Sequence, residues 1–292
     1  MDWIDAAQDA AIALGKLLSQ DARLIELDCA LPGVLVPERF EGREAVCEGF
    51  RFEIDCLSPT AFAPLAGVLG QPATLRLRRA DGSLRAWNGL ITHTSALGSD
   101  GGLARYRLTL EPWTALLRLR TNALIFQDLD VLGVVTRVFA DYPQASWRAD
   151  VTQALPQRAI TTQYRESDWD FVTRILAEQG LAWRIDHTGE GHTLVIHDAE
   201  ASAPRAQPAT VRYHRIDATE SMDAIGRFAE TLGLAPDAVT VASWDASLVE
   251  ATAATAETQD AAGAVASREV FLAGRAGWPR SRASARKRWN GV

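Results

Sequence analysis

Lysine is almost missing from this 292-residue sequence: of 30 basic residues only Lys16 and Lys287 are lysine. The skew reads as the base composition of the genome rather than as function. With a formal net charge of −7, the chain as a whole is not a nucleic-acid binder. Cysteine is scarce too. Cys29, Cys47 and Cys56 are odd in number and form no C-x-x-C pair. That excludes a zinc site of paired cysteines and a disulfide framework, and leaves small buried thiols as the expectation. No apolar run approaches the length of a membrane span, so direct membrane insertion is not expected. The first residues lack the basic start, unbroken apolar core and cleavage pattern of a signal peptide. Synthesis and folding in the cytoplasm are therefore expected, with any export by a route that needs no such signal.

The signatures of catalysis are equally thin. There is no G-x-S-x-G elbow, no P-loop, no dinucleotide fingerprint and no H-E-x-x-H. Five histidines occur, at 93, 187, 192, 197 and 214. Three of them are spaced by five, which puts successive ones on opposite faces of regular strands, and no cysteine or carboxylate-rich loop accompanies them. They read as surface or strand-end residues. Asp168 and Asp170 resemble an acid pair, but at the start of a helix they read as caps. Six of the nine tryptophans (87, 113, 147, 169, 183 and 244) fall one to an element, as core filling rather than a base-stacking platform. No catalytic, cofactor-binding or metal-ligating residue is predicted, no cofactor is implied, and a non-enzyme is expected.

What is present is ordinary globular patterning, with 47% hydrophobic and 23% charged residues. Residues 3–18 have helical spacing. From Leu24 the period shortens, and 23–28, 50–54, 74–79, 87–94 and 105–110 alternate as strands, with turns at Asp81-Gly82 and Gly101-Gly102. With one short apolar segment at 62–69 among them, these predict a small barrel. Asp128 or Asp130 can cap a helix carrying Leu132, Val135, Val138, Phe139 and Tyr142, stopped by Pro143. Residues 144–163 read as a connection with one short strand near Ile160.

The best-signalled stretch follows. Ser167 is an N-cap with Asp170 in the capping-box place, and Gly180 is the C′ glycine. Trp169, Val172, Ile175, Leu176 and Gln179 share a face, leaving Glu166, Arg174 and Glu178 for water. Residues 181–187, a turn at 188–191 and 192–197 then predict a hairpin. Beyond a linker at 199–208, residues 210–214 and 238–244 read as strands. The spacing over 221–232 suits a helix, but extended structure is favoured for 224–231. Residues 245–263 form an Ala/Thr-rich tract that is expected to be mobile. The last stretch, from Arg268, holds seven basic residues against Glu269 and reads as a surface helix, with contact to an acidic partner as the alternative.

The segments Tyr164–Val172 (YRESDWDFV), Gly180–Trp183 (GLAW) and His192–Asp198 (HTLVIHD) resemble the VgrG spike proteins of type VI secretion, whose fold is shared with contractile phage tail hubs. Phe126–Tyr142 (FQDLDVLGVVTRVFADY) is similar to a second block of that family, in the same order. The resemblance implies an α+β, mainly β chain with two small β-barrels flanking an α+β middle module, phage tail hub-like. The divisions would be a helical segment at 1–22, a first barrel at 23–115, a module of two helices plus hairpin at 116–200, and a second barrel with a basic end at 201–292. It further implies a homotrimer capping a hexameric tube protein (Hcp-like), with effector or adaptor proteins as possible cargo. The hub of a contractile phage tail or tail-like particle is the alternative. A hydrolase or wall-binding effector on a β scaffold is a distant one.

Overall fold

The computed structural model describes residues 24–79, 81–100, 102–189 and 191–199, then 210, 212–213, 224–225, 227–230, 238–245, 249–257 and 269–274. The helix expected at 3–18, the linker at 200–208 and the basic run after Gly274 lie outside these residues. In chain order the elements are β1 (Ile25–Asp28), β2 (Val36–Ala45), β3 (Gly49–Ser58), β4 (Pro72–Arg78), β5 (Leu84–Asp100), β6 (Leu103–Glu111), β7 (Thr121–Leu129), α1 (Val131–Phe139), β8 (Trp147–Asp150) and β9 (Arg158–Ser167). Then come α2 (Asp168–Gln179), β10 (Leu181–His187), β11 (His192–Asp198), β12 (Arg212–Tyr213), β13 (Ala224–Ile225), β14 (Ala238–Asp245), β15 (Glu250–Glu257) and β16 (Glu269–Gly274).

Two compact units divide the chain. The first comprises the residues through Leu119 with Pro143–Ala149 and Trp183–Ile196; the second comprises Arg120–Tyr142, Asp150–Ala182 and the residues from His197 onward. The first unit is built on a six-stranded antiparallel sheet in the order β1-β4-β5-β6-β3-β2, curled into a half-barrel. Its core comes from alternate residues. Phe50, Phe52, Ile54 and Cys56 of β3 point inward and meet Tyr106, Leu108 and Leu110 of β6. The Tyr106 hydroxyl is satisfied there, donating to Thr60 O at 3.0 Å and accepting from Ala63 N–H. β5 is long for a strand, and register shifts at Ile91/His93 and Ala96/Gly98 bend it, which is how a sheet curls without losing its ladder. The short apolar segment holds one 3-10 turn, Leu65–Gly67.

β2 is missed by the alternation pattern. It is an outer strand whose charged residues from Glu38 to Arg43 face water, so no apolar period marks it. A three-stranded sheet in the order β10-β11-β8 completes the description around the hairpin, whose strands begin and end within a residue of the predicted places.

In the second unit β7 and β9 pair antiparallel as a ribbon, and α1 and α2 accompany it. Asp130, not Asp128, caps α1 by accepting the Gly133 N–H at 2.7 Å. α2 buries Trp169, Phe171, Val172, Ile175 and Leu176 and ends at Gly180, whose φ of 72° needs glycine's freedom. Glu178, expected in water, is buried: Arg158 and Arg174 pair with it at 3.2 and 3.0 Å. The connection at 144–163 holds β8 and most of β9, more strand than expected, because β9's pairing with β7 overrides a polar sequence.

Further along, β12 and β13 pair parallel, so the extended reading holds at 224–225 and the helical spacing there misleads. β14 lies between antiparallel β15 and parallel β16. The Ala/Thr tract is strand over 250–257, aligned by pairs such as Thr240–Thr255, whose hydroxyls lie 2.7 Å apart. Residues 269–274 are strand, not surface helix.

Gly89 of β5 sits where a Cβ would come within 2.5 Å of the Glu111 carbonyl oxygen and 3.0 Å of Leu110 Cδ1. Backbone cannot swing aside as a side-chain tip can, so Gly89→Ala is expected to destabilise the first unit by about 1–3 kcal/mol in urea unfolding. An unchanged midpoint would show that β5 and β6 approach less closely.

Candidate functional site

Asp168 is the polar centre of the second unit. Fully buried at the first position of α2, it receives four donors. Its Oδ1 accepts from Gln163 Nε2 at 2.7 Å and Asn122 Nδ2 at 3.2 Å. Its Oδ2 accepts from Arg120 Nε at 2.6 Å and the Tyr142 hydroxyl at 2.7 Å. Its own N–H donates to Arg120 O at 3.0 Å. Burial opposes the charge, but the bonds from Gln163, Tyr142, Arg120 and Asn122 outweigh it and hold the carboxyl below its ordinary range. Burial, then the bond to Asp168, push the Tyr142 hydroxyl up. A carboxylate offers about four lone-pair directions, and all four are taken. Asp170 is exposed and plays the cap partner: its N–H donates to Ser167 Oγ at 3.0 Å and its Oδ2 accepts the Ser167 hydroxyl at 2.7 Å. The two aspartates are therefore not an acid pair. The reading of Asp168 as a cap is corrected: the Ser167–Asp170 pair caps the helix, and Asp168 ties it to β7, β9 and the segment after α1.

His187 and His192 stand at strand ends, as expected, but they do not fall on opposite faces. His187 and His192 flank the hairpin turn, so the count of five runs through a reversal and both rings come to the same side, 6.3 Å apart. Both lie against Phe50 and are half-buried. His187 Nδ1 accepts the Asn88 N–H at 3.1 Å, and His192 Nε2 accepts the Trp113 N–H at 2.8 Å. The Asn88 side chain donates to Thr188 O at 2.8 Å and Gly191 O at 3.0 Å, and accepts from the Thr74 hydroxyl. His93 is exposed beside Thr92, His197 contacts the Asp198 carbonyl, and His214 lies outside the described residues. Among the described residues no group of three or more His, Cys, Asp and Glu could hold a metal ion.

Cys29 and Cys56 are buried, and burial raises both thiols. Cys47 is exposed, against expectation, because it occupies the β2–β3 turn at φ 60°. There its N–H donates to Trp183 O at 2.9 Å, and Trp183 N–H reaches its Sγ at 3.5 Å. Trp87, Trp113, Trp169 and Trp183 are buried as core.

Two surfaces remain. On the outer side of the barrel, Arg39, Asp55 and Arg107 stand in one row across β2, β3 and β6, with Arg39–Asp55 and Arg107–Asp55 at 2.9 and 2.7 Å. Arg43 and Arg105 extend this charged face and are well exposed. On the ribbon, the pairs Ala123–Tyr164, Ile125–Thr162 and Gln127–Ile160 share a face, and Ile125, Ile160 and Tyr164 are all exposed. Sequence reasoning named neither surface. Charged strands and alternating apolar residues look alike whether they face water or a partner. Among the described residues no helix is long and apolar enough to cross a membrane.

A family model described as phage tail baseplate hub matches residues 43–291. The type VI secretion system spike protein VgrG1b of Pseudomonas aeruginosa is 34% identical over 183 residues, which is 62% of this chain and 25% of that protein. The chain thus spans a quarter of the length of that relative. Among solved structures, the Escherichia coli c3393 protein, described as a component of the type VI secretion system with structural similarity to phage T4 tail proteins, aligns with a TM-score of 0.51 at 27% identity. That alignment covers 68% of this chain and 52% of c3393. A 43 kDa prophage tail protein of Shewanella oneidensis aligns with a TM-score of 0.55 at 12% identity, over 91% and 77% of the two chains, and so shares the fold.

Replacing Asp168 by Asn leaves Arg120 without its buried counter-charge and sets an amide N–H₂ against donors. A loss of about 3 kcal/mol is expected in urea unfolding at pH 7, followed by Trp169 fluorescence. The folded carboxyl titrates below its unfolded value of about 3.9, so its contribution is present at neutral pH and is lost as pH falls through the folded value. The gap between variant and native chain should therefore narrow below about pH 4.

Proposed function

The chain belongs to the phage tail baseplate hub family, and on that premise we propose that it is the hub part of a type VI secretion spike, acting as a homotrimer that caps a hexameric tube. The identity to VgrG1b carries this reading, because it is higher than the identity to the prophage tail protein of the same fold. The division of labour is mechanical. Three chains with two barrels each offer six similar contacts, which lets a three-fold spike seat on a six-fold ring. The first barrel would be the half-barrel around β3 and β6, and the second would include the β15-β14-β16 sheet.

The state of the known chemistry agrees with a role in assembly. The buried acid is saturated by donors, and the hairpin histidines are occupied by backbone N–H groups. Neither is free to act on a substrate. Carrying of needle or cargo, with effector or adaptor proteins as partners, belongs to the same proposal.

Native mass by light scattering at tens of micromolar tests the assembly, with a trimer as the expected result. Arg43→Glu with Arg105→Glu tests the tube contact. Their partners Glu48 and Glu38 are exposed, so the fold should keep its stability to within about 1 kcal/mol. Co-sedimentation with tube protein should be lost. Undiminished binding after reversal of the exposed charges of both barrels would sink the docking reading.

A further inference from the structure

The proposed function makes no use of the two histidines that fasten the β10–β11 hairpin to the barrel. An imidazole nitrogen that accepts a hydrogen bond carries no proton. His187, accepting at Nδ1, is therefore neutral with its proton on Nε2, and His192, accepting at Nε2, is neutral with its proton on Nδ1. Both bonds come from backbone N–H groups of the barrel, which cannot reverse their polarity. We propose that the pair is an acid-sensitive clasp: a proton added at either accepting nitrogen sets donor against donor and releases the hairpin from the end of the barrel.

The surrounding charges bear on which ring responds. From β2, Glu44 Oε1 lies 3.5 Å from His187 Nε2, close enough to act by charge although that nitrogen makes no hydrogen bond. Glu44 is itself held by Arg85 at 2.6 Å and by Trp87 Nε1 at 3.2 Å, and the Arg85 guanidinium lies over the Trp87 ring. From β3, Phe50 brings no charge to either ring. Asp186 is engaged by Arg148 and Arg184, and Glu111 by Arg51 and Arg118. Glu44 can compensate a cation on His187. His192 faces only the other imidazole, so a cation there is uncompensated. Burial, and then His187, hold His192 down to about 4.

The direction follows from linkage. In the detached hairpin His192 would titrate near about 6.5, above its docked value, so the detached state takes up the proton first. Docking is complete above that pH and weakens as pH falls toward 4.

Amide hydrogen exchange on the full chain reads the clasp directly. Corrected for intrinsic exchange, protection at Asn88 and Trp113 should fall on the order of ten- to a hundred-fold between about pH 7.5 and about 4.5. In the double variant His187→Asn, His192→Gln an amide oxygen stands near each accepting nitrogen and takes no proton, so its protection should stay level over the same range. Constant protection in the native chain, or a parallel loss in the variant, overturns the proposal. If the variant does not fold, the ring nitrogens of the native chain decide by ¹⁵N NMR. Nε2–H on His187 and Nδ1–H on His192 at neutral pH, with the His192 ring gaining its second proton as protection falls, is the expected result. The opposite tautomers, or protection lost while both rings stay neutral, reject it.

Discussion

A buried backbone N–H must find an acceptor, and in the barrel two of them fall where the strand ladder has run out. β6 ends at Glu111, opposite Leu90 of β5, so Asn88 lies beyond the last rung between them. Trp113 lies two residues past the end of β6, after Pro112. The hairpin supplies what the ladder cannot, with one imidazole for each N–H and two turn carbonyls for the Asn88 amide. An unpaired buried N–H would cost about 1–3 kcal/mol, so two of them together would threaten a domain of ordinary stability. The barrel is finished by side chains rather than by another strand, and the reciprocal contact between Cys47 and Trp183 fixes the other end of the same hairpin.

The second unit answers the same need with a charge. Asp168 gathers an arginine, a tyrosine and two amides, drawn from β7, β9 and the flanking segments, at the entrance to α2. The most recognisable words of the sequence are spent on this. In YRESDWDFV, Ser167 caps, Asp168 gathers donors, Asp170 completes the cap, and Trp169, Phe171 and Val172 fill the core. The likeness to spike and hub proteins thus rests on residues that hold a shape.

What could be read from the sequence divides along the range of the interactions. Ser167, Asp170 and Gly180 act within a few residues, and the bounds of α2 and of the hairpin were legible from them. Asp168 was legible as a first-turn acid but not as a buried one, because Arg120 and Asn122 come from more than forty residues away. β2 carries charges on an outer strand, and β15 carries alanine and threonine, so neither shows the apolar alternation that marks a half-buried strand. The histidine spacing misled because periodicity within a strand says nothing across a turn. The two surfaces were invisible for a different reason: exposure is a property of the whole fold, and partners are absent from any local pattern.

The first unit is assembled from three stretches of chain, the last of which ends at Ile196. Its closing bonds join residues up to 136 positions apart. During synthesis the half-barrel strands leave the ribosome well before the hairpin that completes them, so Asn88 and Trp113 must wait in water, or in non-native contacts, until it arrives. Contacts of such span in sequence slow folding, because the loop they close must be ordered before they form. The barrel is therefore early in the chain and late in time, and its quality as a building block is decided by residues that a cut at the barrel's apparent end would discard.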